Sequence, residues 1–464
     1  MTLVTHTDDD HTHDAGPDRA SPSDARGLPP LTTVEWLVCI VGALGFAFDL
    51  YEMLVMPVVL RPALMDIGGL VPGSREFNRW VALMFYVPAM AGGAFGLLGA
   101  WLTDVCGRRR ILTWSILLYS CAALGSAFAS TPLQLLLFRC LTVIGVSVEY
   151  VAAVAWLAEL FSAPGRRDRV LGYTQSAAGL GGLMASGAYY LAVTHAESLP
   201  AIAGGHDAWR YVFLFGLAPA LLLALVRPFL PESPAWRAGH ARIVRRPQFR
   251  ELFRVPLRRT TIVTTVLMAC AYGLVSGVLQ QTPRVVPGLA EMRELTPRAI
   301  EQAVGRVQFT GELGVIAGRL LFAFLVVRVV QQRRLIALFL VPALPLIPLI
   351  YLRASTLSIA TLGAAVFIVA LLINGPFSQL WNYLPRVYPS RLRGTGEGFT
   401  HNVGGRWLGA FAPVLTTQLA NVVPGVSAAT RLAHAVAITA VVLLTIALLA
   451  SRALPEPVGD ALPA

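Results

Sequence analysis

The chain has 464 residues, of which 55% are hydrophobic and only 14% charged, with a net charge of +11 and a mean hydropathy of +0.63. Soluble proteins carry roughly 25% charged residues, so the composition excludes a soluble globular chain and points to a multi-pass membrane protein. The positive charge does not indicate a nucleic-acid partner. The chain has no Lys, and its arginines cluster in short loops between apolar runs, the positive-inside pattern. Without Lys there is also no GxxxxGK[ST] phosphate loop. The five cysteines (Cys39, Cys106, Cys121, Cys140 and Cys270) lack metal-ligand spacing and read as small apolar residues. No cofactor or metal is expected.

Residues Met1 to Pro30 are polar, acidic and rich in Pro, Gly and Ser, the composition of a disordered tail. His6, His11 and His13 lie there among Asp8, Asp9 and Asp10 and read as part of the solvated tail. The first apolar run starts too late and is too long for a cleavable signal peptide. Apolar runs then recur at Val34–Leu60, Trp80–Thr103, Ile111–Ala129, Leu133–Phe161, Val170–Val193 and Trp209–Leu230. After an Arg-rich break come Thr260–Val286, Val307–Val330, Leu335–Leu352, Leu357–Leu380, Gly396–Val422 and Leu432–Ala453. The expected fold is therefore all-α, with twelve transmembrane helices in two six-helix bundles. The expected divisions are a tail (1–30), a first bundle (31–230), a central loop (231–259), a second bundle (260–453) and a short tail (454–464).

Arginines mark the orientation. Arg108-Arg109-Arg110, Arg166-Arg167-Arg169, Arg328 with Arg333-Arg334, and Arg386 with Arg391-Arg393 follow the second, fourth, eighth and tenth runs. The central loop adds eight more, from Arg237 to Arg259. Most opposite loops are poorer in Arg or offset it with acids such as Glu291, Glu294 and Glu301. Both termini should therefore be cytoplasmic.

The first run carries Asp49 and Glu52 near its middle, three residues apart and so on one helix face. A charge at bilayer depth costs on the order of 3 kcal/mol, so such groups line a pathway or pair internally. The functional reading is a protonatable pair beside a solute path; the alternative is an ion pair that only fixes packing. Other polar residues inside runs are Arg139, Glu149, Gln175, Glu312, Asn374, Asn402 and Arg406. Arg139 and Glu149 are too far apart along one helix to pair, so each needs a partner from another span. One expected arrangement sets Arg139 against Asp49 or Glu52. Arg139 and Arg406 also suit a carboxylate solute. Gln280 and Gln281, at the end of the seventh run, read as caps of a surface loop.

The loop after the second run, AWLTDVCGRRRIL, holds Asp104 at a helix end and Gly107 before Arg108 and Arg109. The fourth run ends at Glu159, followed across its loop by Arg167 and Arg169. These acids and arginines form a candidate charge network, with plain topology signalling as the alternative. The segment Asp104 to Arg109 resembles the DxxGRR signature of the major facilitator superfamily. Phe138-Arg139 with Gly145 and Glu149-Tyr150 is similar to that family's RxxxxxG…GE[WY] pattern. Pro231-Glu232-Ser233-Pro234-Ala235-Trp236 resembles the PESPRW element of its sugar porters and metabolite symporters. Tyr388 to Gly396, with Asn402 and Gly405-Arg406, is similar to their YPTRxRGTG…NxGR stretch. These elements occur in the family's order, and the resemblance covers nearly the whole chain.

The resemblance implies alternating access at a site between two bundles, with Asp104, Gly107, Arg108, Arg109, Glu159 and Arg169 as a conformational charge network. The Asp49/Glu52 pair resembles the acid pair of aromatic-acid and sialic-acid proton symporters, with Leu50 in place of the usual Gly. The second-half counterpart of DxxGRR, Val329 to Arg334, keeps the arginines but not the acid, and Arg386 stands where a Glu is usual. State locking is therefore expected to rest on the first half. The fifth run has Gly179, Gly181, Gly182 and Gly187 but lacks the helix-5 element GxxxGPxxGG, with its Pro, of drug antiporters, which favours uptake over efflux. The expected activity is proton symport of a small organic solute, a carboxylate in preference to a sugar or polyol. The expected partners are that solute, protons and the lipid bilayer, and the protein is expected to be a monomer in the inner membrane. A transporter-like sensor is the reading from another class. No HExxH or GxSxG set suggests an enzyme.

Overall fold

A computed structural model describes residues 31–455, apart from 162–165, 167–169, 172, 175–176, 234–236, 238–248, 256, 327–330 and 390–391. Among the described residues the named elements are all helical. The long helices are α1 (Thr33–Gly68), α2 (Arg75–Cys106), α3 (Arg108–Ala127), α4 (Pro132–Leu160), α5 (Ala178–His195) and α6 (Ala208–Val226). They continue with α7 (Leu257–Gly277), α8 (Pro297–Val326), α9 (Gln332–Leu352), α10 (Ile359–Val387), α11 (Arg393–Phe399), α12 (Ala412–Val422) and α13 (Ala428–Arg452).

Helix starts follow local chemistry. Thr32 and Glu35 form a reciprocal capping box at α1, with Glu35 N–H donating to Thr32 Oγ1 at 3.3 Å and Thr32 N–H to Glu35 Oε2 at 2.7 Å. Thr131 caps α4 ahead of Pro132, whose missing N–H costs nothing in a first turn. Ser74, Ser358 and Ser427 cap α2, α10 and α13 in the same way. Between α2 and α3 the chain turns at Gly107, φ 94°, a conformation that a side chain would strain.

Ten of these elements are long and apolar enough to cross a membrane. Two expected runs behave differently. The fifth becomes α5, which starts at Ala178 and is rich in Gly, Ala and Tyr rather than in long aliphatic side chains. The eleventh is broken, with α11 leading into a π-helical stretch, Thr400–Leu408, then a 3-10 turn, Gly409–Phe411, and finally α12. That stretch carries His401, Asn402 and Arg406, so its backbone irregularity coincides with its polar residues. Such π segments occur mostly as short insertions and often at functional sites.

Packing orders the elements. α2 and α3 lie against α4, α1 against α5 and α6, and α3 against α6. Later in the chain α8 packs on α10, α9 on α13, and α7 on α13 and the π stretch. Between the two sets, α5 meets α8, and α2 meets both the π stretch and α12.

A candidate solute and proton site between the helices

Three polar clusters occupy the interior. The first joins α1, α4 and the chain just after α6. Arg227 Nη2 lies 2.5 Å from Glu149 Oε1, with both side chains buried. Gly45 on α1 leaves the room for this pair, since a side chain there would collide with the Arg227 guanidinium. Asp49 lies next to Glu149 and Arg227. One guanidinium thus faces two carboxyl groups.

Glu52 is turned toward α6, where Gly216 makes space for its carboxyl group. Tyr51 beside it donates to Val212 O at 2.5 Å. The expected pairing of Arg139 with the carboxyl group of Asp49 or Glu52 is corrected: Arg139 donates instead to the main-chain carbonyls of Glu52 (2.5 Å) and Met53 (3.0 Å). Met53 O is open to this donor because Pro57, four residues on, lacks the N–H that would otherwise reach it. Arg139 therefore ties α4 to α1 beside the acid pair.

The second cluster lies where the π stretch meets α2 and α4. Arg406 Nη1 donates to Gly92 O at 3.0 Å and to Ser147 Oγ. Around it stand aromatic rings from both parts of the chain. Tyr150 stacks with His401 at 6.5 Å between centroids and meets Phe46 edge-on at 5.5 Å. Tyr272 meets His401 and Phe377 edge-on at 5.4 and 5.3 Å, and its hydroxyl is 3.1 Å from His401 Nδ1. Asn402 Nδ2 donates to Gly398 O within its own helix at 3.0 Å, leaving its buried Oδ1 without a partner. Asn374 is likewise turned to its own helix, donating to Ala370 O at 3.0 Å.

The third cluster is on α8. Gln308 Nε2 donates to Glu312 Oε1 at 2.9 Å, and Gly182 on α5 provides the space that the Glu312 carboxyl fills. Arg319, two turns on along the same face, lies near Glu312 and Tyr150, and its buried Nε lacks a partner. The glycines of α5 divide their work. Gly182 receives Glu312, while a side chain at Gly181 would strike the Ala47 carbonyl of α1. Close approach of this kind is what small residues permit between membrane helices.

At the arginine-rich end, Arg108 Nη2 pairs with Glu159 Oε1 at 2.8 Å. Glu159 also accepts from Ser233 Oγ. Arg109 enters through its main chain, donating N–H to both Glu232 oxygens at 3.2 Å, while its side chain reaches Pro228 O at 3.0 Å. Glu35 and Arg166 pair at 3.3 Å. Arg169 and the side chain of Asp104 lie outside the described residues, as does Gln175.

The opposite end is held shut. Glu301 on α8 accepts from both Arg61 on α1 and Tyr189 on α5. Gln302 Nε2 donates to Thr194 Oγ1 at 3.2 Å, and Asn78 on α2 donates to Asn421 Oδ1 on α12 at 2.7 Å. Gln281 belongs to this end and is fully buried, so the expectation of a surface-loop cap is corrected: it accepts from Arg284 at 2.7 Å.

Sequence reasoning singled out the intramembrane acids but not Arg227, Arg284, Arg319, Tyr272 or His401. Arg227 resembles an ordinary helix-end arginine, and the aromatics carry no charge signal in an apolar run. The one clue was PESP, whose Glu232 and Ser233 prove to join the Arg108–Glu159 network.

Comparison with known proteins gives a consistent picture. A sequence model of the Major Facilitator Superfamily matches residues 41–413. A probable 4-methylmuconolactone transporter of Cupriavidus pinatubonensis is 28% identical over 360 residues, 78% of this chain and 78% of that protein. The sialic acid transporter NanX of Escherichia coli is 23% identical over 380 residues, 81% of this chain and 85% of that protein. The crystal structure of a D-xylose-proton symporter superposes with a TM-score of 0.67 at 18% identity, covering 92% of this chain and 98% of that one.

Proposed function

The chain belongs to the major facilitator superfamily, and from that premise we propose that it is a proton-coupled importer of a small, flat organic anion. Its relatives are named as transporters rather than enzymes, and it is a multi-pass membrane transporter. The observation that carries the finer reading is the centre formed by Arg406 and the rings of Tyr150, His401, Tyr272 and Phe377, with Arg319 of the α8 cluster near Tyr150. Aromatic faces on two sides suit a planar conjugated solute, and two guanidinium groups suit its carboxylate. The relatives named for 4-methylmuconolactone and sialic acid support an oxidised or acidic organic solute. A sugar or polyol is the weaker reading, because it leaves the two arginines without a role.

We assign proton binding to the Asp49–Glu149–Arg227 cluster and to Glu52, with Glu312 as the acid nearest the solute arginine Arg319. In the first cluster, one positive charge and two carboxyl groups leave a place for one proton. Asn374 and Asn402 line the path beside the rings. The proposed architecture has twelve spans, counting α5 and the broken α11–α12 element with the ten apolar helices, in two bundles that meet along α5–α8 and α2–α12. With the arginine-rich loops and both termini in the cytoplasm of a bacterial cell, as a monomer in its inner membrane, the closed end is the outer one. The described state is then inward-facing. Arg108, Arg109, Glu159 and Glu232, with Asp104, Gly107 and Arg169, are proposed to brace the first bundle on the inner side.

The test is uptake of labelled benzoate and labelled xylose by purified protein in liposomes under an inward proton gradient. Benzoate should accumulate and xylose should not. Arg406→Gln should raise KM about tenfold or more, the loss of roughly 1.4 kcal/mol expected when one charged contact to solute is removed. Xylose uptake without benzoate uptake would overturn the anion reading.

A further inference from the structure

The outer end holds a partly open cavity of about 250 Å³ between α1, α2, the helical turn Thr282–Val285 and α13. Among the described residues its ionisable wall is Arg61, Arg284 and Arg431, with no carboxylate. Arg61 is answered by Glu301. Arg284 is not answered by any acid among the described residues. It is 8% exposed and lies over the Phe77 ring, 5.5 Å from its centroid. Its Nη1 donates to Gln281 Oε1 at 2.7 Å and its Nη2 to Asn78 Oδ1 at 2.9 Å, both neutral amides, while its buried Nε has no partner. Arg431, half-buried on α13, adds a second guanidinium to the same wall. A buried charge without a counterion is costly, and proteins ordinarily pair it.

We infer that Arg284 and Arg431, with Asn78, form a second binding subsite, in the outer vestibule, for the carboxylate group of the solute. The chemical class rests on the organic-anion reading above; the place rests on the cavity and its unmatched arginines. The amides of Gln281 and Asn78 hold the Arg284 guanidinium plane while leaving Nε free, and a planar donor group of this kind matches a carboxylate. Phe77 and Leu432 supply an apolar wall for the rest of a small solute. Asn78 also clasps Asn421 across the seam between α2 and α12. A carboxylate on Arg284 therefore sits against the contact that must part when the outer end opens. The subsite collects solute before it reaches the aromatic centre.

Calorimetric titration of the full chain in lipid nanodiscs with benzoate tests this. Two benzoate sites are expected in the wild type. Arg284→Gln should abolish one of them, and Arg406→Gln should weaken the other without affecting the first. Arg431→Gln, a change at a half-buried position, should weaken the outer site several-fold and decides the matter if Arg284→Gln does not yield folded protein. A single wild-type site that is lost in Arg406→Gln and untouched by Arg284→Gln and Arg431→Gln would overturn the subsite and leave the central reading standing. A single site lost in Arg284→Gln but not in Arg406→Gln would uphold the subsite and overturn the central one. If chloride or phosphate binds at Arg284 and benzoate does not displace it, the site takes inorganic anions and the carboxylate assignment fails.

Discussion

Removing one partner of the Glu149–Arg227 pair leaves the other charged in an apolar interior, where truncating a buried pair costs roughly 3–5 kcal/mol. Arg227→Met should therefore lower the melting temperature of the detergent-purified protein sharply. Because the cost comes from the stranded charge, Glu149→Leu combined with Arg227→Met should recover part of the loss, and adding Asp49→Asn, which removes the second carboxylate facing Arg227, should recover most of it. A double variant as unstable as the single would place the damage in packing instead. Legibility differed at this scale. Asp49, Glu52, Arg139 and Glu149 were visible as charges in apolar runs, since few forces other than function or pairing keep them there. Their partners were not visible, because a pairing across helices leaves no spacing signature. Arg139 chose main-chain carbonyls, and Arg227 stands at the end of its helix, where an arginine carries no signal of pairing.

The helices themselves were largely readable from hydropathy. The two exceptions have physical causes: α5 trades long apolar side chains for glycines that admit its neighbours, and the π stretch trades regularity for polar groups. The glycines make a prediction at this scale. Gly181→Ala would drive a Cβ into the Ala47 main-chain carbonyl, which cannot rotate away, so α1 and α5 must separate. The variant should show a markedly lower yield of monodisperse protein in size exclusion. Gly182→Ala meets only the movable Glu312 carboxyl and should fold, but with reduced transport. Equal behaviour of the two would contradict this division of roles. At the arginine-rich end, Glu159 joins Arg108 and Ser233, and thus holds the start of α3 and the segment after α6 to the end of α4. Glu159→Gln should slow the conformational cycle, measured as counterflow rate, while leaving benzoate affinity in place. An unchanged rate would reduce the network to a topology signal.

For the whole molecule, family and transport class follow from ordered motifs that the family comparison supports. Solute chemistry and coupling rest on the interior clusters, which only the folded arrangement brings together: residues 46, 150, 272, 377, 401 and 406 converge on one centre from distant parts of the chain. The central claim is that entry of an organic anion carries protons inward through the buried acids. The most direct measurement follows the pH inside dye-loaded liposomes when benzoate is added outside, after subtracting passive entry of benzoic acid into protein-free liposomes. Protein-dependent acidification is expected with wild type and should disappear in Asp49→Asn. Protein-dependent benzoate entry with no acidification, or acidification unchanged in Asp49→Asn, Glu52→Gln and Glu149→Gln alike, would contradict the account.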